Sequence, residues 1–126
     1  MAASEDFPRL ARLLRPAEFA RVYAARRSAA RGPLVVYAAA RSDSTGRPRL
    51  GLSVSRRIGN AVIRNRWKRT LREAFRHVQG NLDPRCDYII VVRSGLPATG
   101  RDNAAQTERM VIDLAARAAG GGGRRR

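Results

Sequence analysis

RRIGNAVIRNRWKRTLREAFR, residues 56–76, carries eight basic residues and a single acid, Glu73. At about 100° per residue, a helix from about residue 60 to residue 78 places its apolar and basic side chains on different faces. The apolar face consists of Ile63, Trp67, Leu71, Ala74 and Val78, with Phe75 at its edge. The opposite face consists of Asn65, Lys68, Arg69, Arg72 and Arg76. The pattern predicts an amphipathic helix that packs on a core and presents a cationic face outward.

The charges at the start of this helix indicate a binding role, because they do not stabilise the helix. Arg64 and Arg66 lie near the N-terminal end, where the helix dipole is already positive, and a cation there costs about 0.3 to 1 kcal/mol. Unpaired backbone N–H groups at the same end can bind a phosphate, which arginine side chains would also hydrogen-bond. A merely solvated face is the alternative, but such faces usually alternate acids with bases. We interpret the surface as one for a polyanion.

The composition indicates the same kind of partner. A chain of 126 residues fits one domain, and its formal net charge of +16 favours nucleic acid over an acidic small substrate or a membrane. The single cysteine, Cys86, excludes an intramolecular disulfide and a CxxC zinc site, and the single histidine, His77, excludes a histidine cluster. There is no signal-peptide pattern and no run of 18 apolar residues, so we expect a cytoplasmic protein without a membrane partner.

The order of elements is predicted from apolar patterns and turn residues. Pro16 suits the first turn of a helix, and strands are predicted at 34–40, 49–55 and 87–93, the last bounded by charges. A final helix starts near Asp102 or Asn103 and turns Met110, Val111, Leu114 and Ala118 inward. Strand, helix and strand in series predict a parallel pair, with a right-handed crossover by the general rule. We expect residues 1–8 to be a disordered tail, residues 9–119 a single RNA-binding domain, and residues 120–126 a flexible Gly/Arg tail.

Two further patterns allow both a structural and a functional interpretation. Phe19, Val22 and Tyr23 share one helix face among several arginines, so the aromatic pair either belongs to the core or stacks on single-stranded RNA. In the strand at 49–55, Leu50, Leu52 and Val54 alternate with Gly51, Ser53 and Ser55. The small residues leave room for a ligand to approach the backbone, although close helix packing explains Gly51 equally well.

The chain resembles a known family over about residues 12–116. Residues 51–69, GLSVSRRIGNAVIRNRWKR, are similar to the signature of the bacterial ribonuclease P protein subunit, and LREAFR at 71–76 continues the likeness. Asp87-Tyr88 with its apolar strand resembles the next family block, and Arg12-Leu13, Glu18-Phe19 and Val22-Tyr23 resemble the first helix. Trp67 stands where the family more often has an aliphatic residue, and Arg56 and Arg57 stand where lysines are usual.

The resemblance implies an α+β two-layer sandwich of order αβββαβα, like domain 2 of ribosomal protein S5. Its crossover would be left-handed, against the general rule. The implied function is that of a cofactor of a catalytic RNA, in a holoenzyme that cuts precursor tRNA to release the mature 5′ end. The residues that match the family's RNA-binding positions are Arg56, Arg57, Arg64, Asn65, Arg66, Lys68, Arg69, Arg72 and Arg76. Phe19, Tyr23 and Tyr37 match aromatic positions of a cleft for the single-stranded 5′ leader.

The mechanism that follows is positional and electrostatic. Phosphodiester hydrolysis needs a metal-activated water, and the ten acids of the chain form no evident pattern for two metals. We therefore expect no catalytic side chain in the protein, Mg²⁺ held mainly by the RNA, and the catalytic RNA and precursor tRNA as partners. The position of any metal bound with the protein is not predicted. The alternatives are a structural RNA-binding protein such as a ribosomal component, a DNA-binding module and a membrane-active cationic helix, all less consistent with the long motif.

Overall fold

The computed structural model describes residue 12 and residues 15–41, 46–95 and 101–120, with side chains from residue 104 onward in the last range. Its helices are α1 (Pro16–Ala24), α2 (Ala61–Val78) and α3 (Arg101–Ala119). Its strands are β1 (Ser28–Arg31), β2 (Leu34–Ala40), β3 (Arg49–Val54) and β4 (Cys86–Val92), and short 3-10 turns occupy Arg56–Ile58 and Gln79–Asn81. The order is αβββαβα, as the resemblance implied.

The four strands form one mixed sheet in the order β1-β2-β4-β3. β2 pairs antiparallel with both β1 and β4, whereas β3 and β4 are parallel neighbours. The segment β3–α2–β4 is therefore a crossover between adjacent parallel strands, as the sequence predicted. It brings the ends of β3 and β4 and the start of α2 to the same side of the molecule.

One face of the sheet carries the main core, under α2 and α3. Paired residues on neighbouring strands share a face, and Leu50↔Tyr88, Leu52↔Ile90 and Val54↔Val92 point to this core. The apolar face predicted for α2 is confirmed, because Trp67, Leu71, Ala74, Phe75 and Val78 are buried and Ile63 is half-buried. The inward residues predicted for α3 are confirmed as well: Val111, Leu114 and Ala118 are buried and Met110 is half-buried.

The opposite face of the sheet is covered only in part, by the nine-residue helix α1. Val22 of α1 packs with Ala39 and Ile89 in a second, smaller cluster. Pro16 lies in the first turn of this helix, as predicted. Because α1 is short and the sheet is wide, part of this face stays open, and the open part becomes the candidate site described below.

Two expectations from the sequence pattern differ from the structure. β1 was not predicted, because Ser28–Arg31 reads SAAR and has no apolar alternation; the strand exists through its pairing with β2. Asp87 was expected to bound the strand at 87–93, which is wrong, because the strand begins at Cys86 and Asp87 lies fully buried inside it. The predicted tail at 1–8 lies outside the described residues, as does all of the predicted tail at 120–126 except Gly120.

Candidate nucleic-acid interface

The first turn of α2 holds the cation Arg64, and Arg66 follows in the next turn. The side chain of Asn60 caps the helix by accepting a hydrogen bond from the Ile63 backbone N–H at 3.0 Å, and no acid lies in the first turn. Arg64 Nε donates to the Gly59 carbonyl oxygen at 3.2 Å, so its guanidinium is held at the helix end. The unfavourable interaction of these arginines with the positive end of the helix dipole is therefore not offset by an acidic side chain in the first turn.

The outward face of α2 carries the predicted basic residues. Asn65, Arg66, Arg69 and Arg72 are exposed and Lys68 is half-buried, and none of these cations forms an ion pair within the described residues. Val62, Asn65, Arg66 and Arg69 line a shallow depression of about 330 Å³. Two large apolar residues are exposed in the described part of the chain, Val62 at 66 % and Tyr23 at 36 %. This surface offers positive charge, one amide and one apolar contact.

Arg76, the last predicted member of this face, differs from the others. Its guanidinium lies 2.9 Å from Glu73 Oε2, and hydrogen bonding from Arg76 lowers the pKa of the Glu73 carboxyl. The same guanidinium contacts the His77 ring, whose other nitrogen lies 2.8 Å from Glu108. Arg76 is thus engaged within the protein, which weakens the case for it as an RNA contact.

Arg56 and Arg57 lie in the 3-10 turn between β3 and α2, both exposed. Arg57 lines a groove of about 580 Å³ at the ends of β3 and β4. The other lining residues are Ser53, Ser55, Ile58, Val91, Val92, Arg93, Ser94 and Gly95. Arg93 Nε donates to the Gly32 carbonyl oxygen at 2.8 Å, which fixes its guanidinium at the rim. Two arginines and three serines suit a phosphodiester chain.

The three predicted aromatic residues lie together on the open face of the sheet. The ring centroids of Phe19 and Tyr23 are 6.5 Å apart, and those of Tyr23 and Tyr37 are 4.9 Å apart in an edge-to-face arrangement. Tyr23 is 36 % exposed, and partial burial raises the pKa of its hydroxyl, which a hydrogen bond with Ser53 opposes. Because Ser53 also lines the groove, the aromatic cluster and the groove form one continuous surface.

A buried carboxylate, Asp87, lies on the same face of the sheet as the aromatic cluster. Its oxygens accept hydrogen bonds from Arg41 Nη1 at 2.7 Å and from Arg49 Nε and Nη2 at 2.8 Å, and Arg21 of α1 forms a third ion pair. Burial alone would raise the pKa of Asp87, but the hydrogen bonds from Arg49 and Arg41 outweigh it, and the pKa is lowered. Asp87 therefore remains ionised at neutral pH.

Trp67 connects the basic helix to the end of the groove. Its side chain is 3 % exposed, and its indole N–H donates to the Gly95 carbonyl oxygen at 3.1 Å. Trp67 is therefore fully packed, although an aliphatic residue was expected at this position. It also fixes the segment that follows β4.

The described residues include one cysteine and one histidine, Cys86 and His77. No group of three or more His, Cys, Asp or Glu residues among the described residues is placed to hold a metal ion. Cys86 is buried, and burial raises the pKa of its thiol, so it stays protonated and unreactive at neutral pH. No helix in the described ranges is long and apolar enough to cross a membrane.

Sequence reasoning missed two parts of this surface. The sequence pattern identifies Arg93 only as the charge that ends a strand, although it marks Ser53 and Ser55 as small residues that leave space for a ligand. The ion-pair cluster at Asp87 was missed entirely. The available signal was a charged residue within an apolar run, but its partners lie 38 to 66 residues away in the sequence.

Comparisons with known proteins agree on one family. A family model described as Ribonuclease P matches residues 7–118. A ribonuclease P protein component from Halorhodospira halophila is 46 % identical over 107 residues, covering 82 % of this chain and 83 % of that protein. One from Shouchella clausii is 43 % identical over 83 residues, covering 66 % and 67 %. A solved structure of the Staphylococcus aureus RNase P protein superposes with a TM-score of 0.63 at 28 % identity, covering 87 % of this chain and 93 % of that one.

Proposed function

The chain belongs to the ribonuclease P protein family, and we propose that it binds the catalytic RNA of ribonuclease P and the 5′ leader of precursor tRNA. In this role it assists the endonucleolytic removal of the leader, which yields the mature tRNA 5′ end. We further propose that it acts in the cytoplasm, where bacterial precursor tRNA is made.

The observation that supports this proposal best is the presence of two different RNA-binding chemistries on one small domain. The outward face of α2 offers Lys68, Arg69 and Arg72 without internal partners in the described residues, which suits the phosphates of a folded RNA. The open face of the sheet offers a partly exposed aromatic cluster instead, which suits the bases of an unpaired strand. A passive binder of duplex RNA would need only the first.

The leader would lie along the aromatic cluster and then along the groove. Base stacking on an aromatic side chain contributes about 1 to 3 kcal/mol per base and tolerates any sequence, as a subunit that processes many tRNAs requires. Arg57 and Arg93 at the groove would bind the phosphates of the same strand by charge-assisted hydrogen bonds. Phosphate contacts and base stacking both favour recognition of a single strand over recognition of its sequence.

We assign the chemistry to the RNA and the positioning to this chain. Mg²⁺ held mainly by the RNA would supply the activated water and the charge stabilisation of phosphodiester hydrolysis. The basic residues of α2 would reduce repulsion between the two RNAs, and the cleft would hold the leader at a fixed distance from the cleavage site. No side chain of the protein is proposed to exchange a proton with the substrate.

The test measures cleavage of precursor tRNA by the cognate catalytic RNA at low Mg²⁺, with and without this protein. Two substrates are compared, one with a long leader and one whose leader is a single nucleotide. We expect stimulation that depends on the leader and a loss of that dependence for Tyr23→Ala. Tyr23→Phe is the matched control, since it keeps the stacking ring. A structural RNA-binding protein would bind the RNA without stimulating cleavage, and that result would overturn the proposal.

A further inference from the structure

The aromatic helix α1 is held to the sheet by ion pairs as well as by apolar packing. Val22 is its one buried residue, and the half-buried Phe19 packs against the same small cluster. Arg21 adds an ionic anchor, because it reaches Asp87 on β4 and the carbonyl oxygen of Ala40 on β2. Glu18 of the same helix pairs with Arg49 at 3.3 Å. Both ion pairs of α1 therefore lead to one buried carboxylate, because Arg49 also pairs with Asp87.

Asp87 is suited to fix the position of α1 because other residues of the sheet already hold its carboxylate in place. It is fully buried in the sheet, and Arg41 and Arg49 hold it with hydrogen bonds of 2.7 and 2.8 Å. Arg41 is itself fixed, since it also donates to the carbonyl oxygens of Cys86, Arg47 and Pro84. Asp87 thus stays in place and charged whether or not Arg21 is bound to it.

Arg21 lies between the two aromatic residues of α1, two positions after Phe19 and two before Tyr23. Tyr23 contacts Tyr37 of β2 across the cleft, with 4.9 Å between the ring centroids. A change in the distance between α1 and the sheet would therefore change the spacing of these rings directly. Buried ion pairs often contribute little net stability, and their best attested use is to specify one arrangement over others.

We propose that Asp87 and Arg21 are positioning residues that set the width of the aromatic cleft. The proposal rests on the leader-binding function and adds to it the device that keeps the cleft ready for a single strand. The strand itself contacts the rings, whereas Asp87 and Arg21 act through the placement of α1. Pre-organisation of this kind lowers the entropic cost of ordering the binding surface when the ligand arrives.

The experiment uses the assembled holoenzyme with the Arg21→Met protein. Arg41 and Arg49 still neutralise Asp87 in this variant, so we expect the domain to fold and to bind the catalytic RNA as the wild type does. We expect the preference for the long leader to fall by about fivefold or more, the equivalent of one lost stacked base. Arg26→Met is the matched control, because Arg26 is exposed, makes no ion pair among the described residues, and carries the same charge.

Two further measurements separate positioning from direct contact. In the Tyr23→Ala background, Arg21→Met should cause no further loss of leader preference, because both changes disable the same cleft. Arg21→Lys, which keeps the charge and one ion pair, should restore part of the preference. Additive losses would mean that Arg21 binds RNA itself, and equal behaviour of Arg21→Met and Arg26→Met would mean that the cluster is not a positioning device. Either result overturns the inference.

These failures are distinct from failure of the proposed function. A wild-type holoenzyme with no leader preference would remove leader binding altogether. A normal preference in the wild type that survives Arg21→Met would leave leader binding intact and remove only the positioning role. If Arg21→Met proves too unstable to assemble, the comparison of Arg21→Lys with the wild type decides the question in the same way.

Discussion

Trp67 shows how one residue serves both the core and the functional surface. It is buried under α2, and its indole N–H bonds the Gly95 carbonyl at the end of the groove. We expect Trp67→Phe to lower the free energy of unfolding by about 0.5 to 1.5 kcal/mol, the net contribution of one hydrogen bond, because Gly95 is exposed and water can replace the lost donor. Trp67→Ala should cost about 3 to 5 kcal/mol through the cavity it leaves.

The measurement for Trp67 is urea unfolding followed by circular dichroism, since the variants lack the only tryptophan of the chain. Val62→Ala on the same helix is the control; Val62 is exposed, so its change should stay within about 0.5 kcal/mol. Full stability of Trp67→Phe would show that the hydrogen bond to Gly95 contributes nothing.

Asp87 gives the molecule a dependence on acid pH. Because its pKa is lowered in the folded state, its contribution to stability is complete above the unfolded-state pKa of about 3.9 and is lost as the pH falls through the folded value. We expect the free energy of unfolding to drop steeply below about pH 4. Asp87→Asn should flatten this drop and cost about 3 to 5 kcal/mol at pH 7.

The acid drop is measured by urea unfolding between about pH 2 and pH 7, the pH interval that brackets the carboxyl pKa values. Glu73 and Asp83 also have lowered pKa values, so part of the drop should survive in Asp87→Asn. Asp113→Asn is the control, because Asp113 is partly exposed and its ion pairs are 3.4 and 3.8 Å long. An identical pH curve for Asp87→Asn and the wild type would contradict the role given to Asp87.

At the scale of elements, periodicity made α2 and α3 predictable and left β1 unpredictable. α2 has an apolar residue at nearly every inward position, so its two faces follow from the sequence alone. β1 has only alanines between a serine and an arginine, and its strand conformation is imposed by β2 and α3. The pairing of Phe19 with Tyr23 followed from helical spacing, but its grouping with Tyr37 followed from the resemblance, because Tyr37 lies on β2 and the other two lie on α1.

The phosphate contact proposed for the start of α2 would trade stability for binding, and Asn60 can test this trade. Asn60→Asp keeps the cap and adds a negative charge at the positive end of the helix. We expect the free protein to gain about 0.3 to 1 kcal/mol of stability and to bind RNA more weakly, since the carboxylate repels phosphate. Asn60→Ala should instead lose about 1 kcal/mol through loss of the cap.

Urea unfolding and titration of the catalytic RNA measure the two effects of Asn60. Asn60→Ala is the matched variant for Asn60→Asp, because both replace the amide and only Asn60→Asp adds a charge. If Asn60→Asp gained stability yet bound RNA with unchanged affinity, phosphate would not approach this end of α2.

The outward face of α2 should account for part of the salt dependence of RNA binding. Each phosphate contact that is lost removes about 0.7 from the slope of log affinity against log salt on a single strand, and about 0.9 on a duplex. We expect Lys68→Ala and Arg72→Ala each to weaken binding and to flatten the slope by about this amount. An unchanged slope would exclude the residue as a phosphate contact. Arg109→Ala on α3 is the control, being exposed and equally charged.

At the scale of the whole molecule, the two faces of one sheet have separate tasks. The face under α2 and α3 holds the large core, and the face under α1 holds a small core, an ion-pair cluster and the open cleft. The family resemblance predicted the α+β class, and periodicity and charge predicted the basic surface. The groove and the Asp87 cluster could not be predicted, because they depend on contacts between Arg21, Arg49 and Asp87 that only the folded chain creates.

Because of its net charge of +16, the free protein should become more stable as salt is added, although screening weakens its ion pairs. Exposed like charges repel one another, and raising the ionic strength from about 0.01 to 0.15 M shortens the Debye length from about 30 to 8 Å. The ion pairs at Asp87 are buried and are screened much less. We therefore expect the melting temperature to rise with sodium chloride. Thermal unfolding by circular dichroism measures it, and a fall would show that screened ion pairs outweigh the repulsion.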